Sequence, residues 1–96
     1  MRTNFQMLRE LDDFTPENRG VLTGKEVNTI ASALHLDEMD ELALRNMRDF
    51  AVVYYARKID DFEESGKSKE MFNALDVMSA ITGVIDSRLV RIGAEV

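Results

Sequence analysis

Residues 50–64 read FAVVYYARKIDDFEE: an unbroken apolar run that includes Val52, Val53, Tyr54 and Tyr55, and then an abrupt acidic end. Valine and tyrosine are good strand formers, so a buried strand over residues 51–56 is a real alternative to a helix. A strand needs turn chemistry at both ends, and the flanks NMRD and RKID hold no glycine, proline or hairpin dipeptide. The helical spacing continues on either side instead. Met39, Ala43, Met47, Phe50 and Tyr54 recur at intervals of three and four, and Ala51, Tyr55 and Phe62 extend a neighbouring stripe. Glu41 stands four residues before Arg45, a favourable helical pair. The spacing therefore predicts one long helix over about 38–64, with Asp37 as its cap and Glu38, Asp40 and Glu41 in its first turn.

The next break is ESGKS, where Gly66 stops one helix and Ser68 is placed to cap another. Beyond it, Met71, Leu75, Met78, Thr82, Ile85, Leu89 and Ile92 alternate in steps of four and three, a heptad seam interrupted by Thr82. Ala74, Val77, Ile81 and Val84 form a second stripe beside it. This predicts a second long helix over about 68–92, antiparallel to the first because the connection is short. Upstream, Phe5, Leu8 and Leu11 mark a short amphipathic helix within 4–14. TPENRG follows as one turn of helix or a loop. Thr23 then stands three residues before Glu26, a capping box that opens a helix carrying Val27, Ile30, Ala31 and Leu34.

The expected fold is thus a single all-α domain, with two long antiparallel helices and two short N-terminal ones. Its apolar surface exceeds what two short helices can cover. A homodimer that completes a helical bundle is the expected solution, with Phe50, Tyr54, Leu75, Met78, Ile85 and Leu89 as the dimer or core seam.

Composition narrows function. The 96 residues are 45% hydrophobic and 31% charged, a globular balance. The net charge of −6 argues against a nucleic-acid partner, because non-specific binding draws on a basic surface. The chain has no cysteine, which removes disulfides and thiolate chemistry. No apolar run approaches the roughly 18 residues that span a bilayer, and the N-terminus lacks the apolar core of a signal peptide, so a cytoplasmic location without membrane attachment is expected. The short, acidic form suits a bacterial or phage accessory protein.

Candidate chemistry is sparse. SGKS resembles the end of a phosphate-binding loop, but Asp61 occupies the place of the required first glycine. A calcium loop beginning at Asp61 would put Phe72 at its last ligand position. His35 is the only histidine, and no other imidazole or thiolate supports it as a metal ligand. Glu38 with Glu41, and Asp60 with Glu63, are carboxylate pairs of the kind a metal-dependent all-α nucleotide pyrophosphatase uses, yet they lie 22 residues apart on one expected helix. Residues 21–50 have the cadence of a helix-turn-helix, which would make the chain a DNA-binding transcriptional regulator. The leading residues of that recognition helix, Glu38, Asp40 and Glu41, would face phosphates of like charge. The expectation is a non-enzymatic protein–protein interaction module, an adaptor, inhibitor or regulatory subunit, with no cofactor. Its protein partner would meet Asp37, Glu38, Asp40, Glu41, Asp60, Asp61, Glu63 and Glu64.

Overall fold

A computed structural model describes residues 3–18 and 20–95. Four α-helices follow one another: α1 (Asn4–Arg9), α2 (Gly24–Ala33), α3 (Glu41–Glu64) and α4 (Ser68–Arg91), with a turn of 3₁₀ helix at Leu36–Glu38 before α3. No strand occurs among the described residues beyond an isolated bridge between Asn18 and Val21. The two 24-residue helices pack against each other as an antiparallel hairpin of about 36 Å. The short helices are divided between them, α1 lying on α3 and α2 on α4.

The hairpin turn is made by backbone geometry. Gly66 takes φ +71, Gly66 N–H donates to Glu63 O at 3.1 Å, and Lys67 N–H donates to Phe62 O at 2.8 Å. This is the Schellman pattern, in which the two bonds satisfy carbonyls that the last helical turn leaves unpaired. α4 ends the same way on Gly93, with Ala94 N–H reaching Leu89 O. Ser68 is the first residue of α4 rather than its cap; Lys67 takes the cap position and offers no side-chain bond.

α3 starts three residues later than the spacing suggests. Asp40, not Asp37, caps it, accepting from Ala43 N–H at 2.8 Å. The delay comes from His35, whose left-handed φ of 53 ends the α2 region and starts the 3₁₀ turn. Histidine is among the side chains that tolerate this conformation. α1 is also shorter than its apolar spacing implies, giving way to turns at 10–13. It is held at its start by a Thr3/Gln6 capping box. Thr15 and Pro16 lie in a loop, not a helix.

One face of α3 is buried and the other is not. Leu44, Met47, Ala51 and Tyr55 point inward, whereas Phe50 remains 39% exposed. On α4 the deepest stripe is Val77, Ile81 and Val84, joined by Ile85 and Leu89. The expected heptad seam is thus split: Ile85 and Leu89 are core, Met71, Leu75 and Met78 are half-buried, and Ile92 is exposed. Leu8, Leu11, Ile30, Leu34 and Leu36 close the core from the N-terminal side. Arg48 and Asp86 pair across α3 and α4 at 2.6 Å, and Arg88 pairs with Asp37.

Glu26 binds the 15–22 loop to α2. One carboxylate oxygen accepts from Thr23 N–H and the other from Glu17 N–H, each at 2.9 Å, while Thr23 Oγ1 accepts from Glu26 N–H. These backbone donors, at Thr23 first and then Glu17, hold the Glu26 pKa below its ordinary value. A depressed carboxylate pKa stabilises the fold fully above the unfolded-state value, and the contribution disappears as pH falls through the folded-state value. Glu26→Gln should therefore lower the melting temperature at pH 7 and flatten the acid-side fall of stability below about pH 4.5, as read from thermal melts across pH.

The glycines provide a paired test. A Cβ at Gly83, inside α4, meets nothing within 4 Å, so Gly83→Ala should stabilise by roughly 0.5–1 kcal/mol. Gly66→Ala, at positive φ, should destabilise by about 1 kcal/mol, with urea unfolding reporting both.

Candidate functional site

With Leu44, Met47, Ala51 and Tyr55 turned to the core, the opposite face of α3 is left to solvent. It carries Leu42 at 68% exposure and Val53 at 54%, with Asn46, Asp49, Ala56, Arg57 and Asp60 exposed between and beyond them. Phe50 and Val52 flank this line. The result is a mixed stripe with Val53 at its centre and a charge on either side of it.

α1 thickens one flank. Phe5 sits edge-on to Tyr54 with ring centroids 5.5 Å apart, and Tyr54 meets Tyr55 in the same manner at 5.0 Å. Arg9 lies over the Phe5 ring and Lys58 over the Tyr54 ring, at 5.7 and 4.9 Å. Such edge-to-face and cation–π arrangements follow from the negative face and positive rim of an aromatic ring. Asp12 fixes the cluster, since its Oδ1 accepts from Tyr54 Oη at 3.0 Å and from Lys58 Nζ at 2.9 Å. Burial pulls the Lys58 pKa down, but the hydrogen bonds the ammonium makes to Asp12 and Tyr54 outweigh it, and it is held above its ordinary value. For Tyr54, burial is the main cause of a raised pKa. Phe5, Phe50, Val53, Tyr54, Arg57 and Asp61 border a shallow hollow of about 340 Å³ here.

The acidic residues expected to meet a partner fall into two groups, roughly 30 Å apart along α3. In the first group, Asp37 is committed to Arg88 and Asp40 to the helix cap. Glu38 lies 3.7 Å from His35, and Glu41 lies 3.7 Å from Arg45. In the second, Asp60, Asp61, Glu63 and Glu64 are exposed on the last turns of α3 without an ion pair among the described residues. The structure does not bring the two groups together. Nor do Glu38 and Glu41 share a helix face, because the extended backbone of Met39 and Asp40 separates them. Among the described residues no group of three or more potential ligands is placed to hold a metal ion.

Of the expected seam, Ile85 and Leu89 are wholly buried within one chain, Tyr54, Leu75 and Met78 are half-buried, and Phe50 is exposed. The sequence reading passed over Phe5 and Asp12 as parts of this surface. The T-N-F-Q capping box was the available signal for where α1 begins; nothing local marks Asp12 as the partner of residues more than 40 positions away.

A second, larger cleft of about 560 Å³ lies between the 12–15 loop and the α3–α4 hairpin, with Tyr55, Lys58, Phe62, Lys69 and Asn73 among its walls. The Tyr55 hydroxyl is buried and has no hydrogen-bond partner among the described residues. Burial raises its pKa strongly, so the phenol stays neutral. No helix of the described residues is long and apolar enough to cross a membrane. Comparison with protein-family models, with curated proteins and with solved structures finds no match to this chain.

Because a buried unpaired hydroxyl costs about 1–3 kcal/mol of desolvation, Tyr55→Phe should leave stability unchanged or raise it by about 1 kcal/mol. Tyr55→Ala should cost about 3–5 kcal/mol through the cavity it leaves, with both variants compared by chemical denaturation.

Proposed function

We propose that the chain is a non-enzymatic protein–protein interaction module, an adaptor, inhibitor or regulatory subunit. It works through the outer surface of α3 and the acids at that helix's C-terminal end. The observation that carries this reading is the exposure of Phe5, Phe50 and Val53 around one shallow hollow on a molecule whose core is already closed. A contiguous apolar patch left in water, rimmed by charge, is the usual mark of a surface that another protein covers. Asp60, Asp61, Glu63 and Glu64 extend beyond that patch and favour a basic contact at its edge.

The helix-turn-helix reading of residues 21–50 has weaker support. α2 packs on α4 rather than forming its main contact with α3, and the start of α3 presents Asp40 and Glu41, of the same sign as phosphate. The nucleotide pyrophosphatase reading would need the carboxylate pairs to meet across a second molecule.

The test is capture by the immobilised chain, using Phe50→Ser and Val53→Glu beside a Val90→Ser control on α4. A protein held by the parent and the control, and lost from both α3 variants, is the expected result. Duplex DNA binding that falls steeply with salt would replace this function with the DNA-reading one. Nucleotide turnover abolished by Glu38→Gln would replace it with the enzymatic one.

A further inference from the structure

The outer face of α3 is its own complement. Val53 lies at the midpoint of the 24-residue helix, on the side opposite the buried stripe. A second α3 laid antiparallel across it, with a twofold axis through Val53, brings together residues equally far before and after that position. Asp49, four residues before Val53, then faces Arg57, four residues after it. Phe50 lies on one edge of the contact and Ala56 on the other. The charge pairing occurs twice. Asp49 and Arg57 make no ion pair within the chain among the described residues, so the contact spends charges that are otherwise unpartnered. Arg45 is engaged within its own chain, with Glu41 and the carbonyl of Glu95, and Asp49–Arg57 is the charge pair of the contact.

Other registers on the same face do worse. An axis at Asp49 sets that carboxylate against its own copy, and one at Ala56 sets Asp49 against Glu63. Like charges directly opposed oppose association. An axis at Asn46 avoids repulsion but overlaps less than half of α3, whereas the Val53 register overlaps nearly all of its roughly 36 Å. The apolar residues agree with the charges: two Val53 side chains meet on the axis, and the two Phe50 rings lie on either side of it.

The geometry points to a second copy of this chain as the occupant of the α3 surface, in an antiparallel, twofold-symmetric pairing centred on Val53. This rests on the interaction-module reading above and names its partner. The Phe5–Tyr54 aromatic pair forms the outer wall of each half, and the hairpin's α4 faces away from the contact. Ile85 and Leu89, inside each chain's own core, play no part in it.

Sedimentation velocity from about 1 to 100 µM should show a reversible dimer for the parent chain. Asp49→Arg should weaken it by at least about tenfold by opposing Arg57, and the double variant Asp49→Arg/Arg57→Asp should restore it to within about threefold. Both positions are exposed, so circular dichroism should stay that of the parent. The chain contains no cysteine, which permits a direct register test. Val53→Cys should oxidise to a covalent dimer, since facing Cα atoms on the axis come within disulfide reach, whereas Val90→Cys should not. A parent that is monomeric throughout, a dimer indifferent to Asp49→Arg, or failure of the double variant to rescue would each overturn the self-pairing. So would cross-linking through Val90→Cys and not Val53→Cys. A monomer that still loses a captured protein on Val53→Glu would overturn the self-pairing alone and leave the interaction module standing.

Discussion

Everything outside the hairpin depends on the rotation of α3 about its own axis. Its buried stripe, Leu44, Met47, Ala51 and Tyr55, meets an α4 whose inner residues are Val77, Ile81, Val84, Ile85 and Leu89. Close packing leaves little freedom in such a contact, because a turned helix would exchange filled space for voids. Once that stripe is chosen, the rest follows. Tyr54 falls at the margin, where α1 can stack on it, and Val53 is forced outward. The surface of the molecule is in this sense a by-product of its core.

The sequence revealed the elements better than their orientation. Thr23 and Glu26 announce the start of α2 because both halves of a capping box lie within four residues, and Gly66 announces the hairpin because positive φ favours glycine. Orientation is a different matter. The run around residue 53 is apolar on every side, so periodicity alone cannot say which stripe is inside. Two stripes are visible there, one through Met47, Phe50 and Tyr54 and one through Ala51 and Tyr55, and the core takes the second together with Met47 and Leu44. Ala51, at 0% exposure, contributes closeness to α4 rather than bulk. The start of α3 was obscured by His35, a non-glycine residue in the left-handed region that no spacing rule expects.

The surface was half legible. The acidic end of α3 could be listed from the chain, but the first group of acids could not be seen to be occupied, since Asp37 meets Arg88 across 51 positions. The same long separation hid Asp12. By contrast, the charges at Asp49 and Arg57 are visible to anyone reading the helix, and acquire meaning only once Val53 is known to face outward. Acidity of the whole chain said little about any of this. Arrangement along one helix face says more.

α1 has only six residues, well below the roughly 12–15 at which a helix begins to persist alone in water. It is helical because Leu8 and Leu11 are buried and because Asp12 holds Tyr54 and Lys58. Docking and helix formation are therefore a single event for this segment. Undocking dissolves the helix, withdraws Phe5 from the aromatic cluster and exposes two leucine sites at once. The N-terminal segment is thus tied to its docking site, and Phe5 joins the aromatic residues of α3 only while α1 is folded.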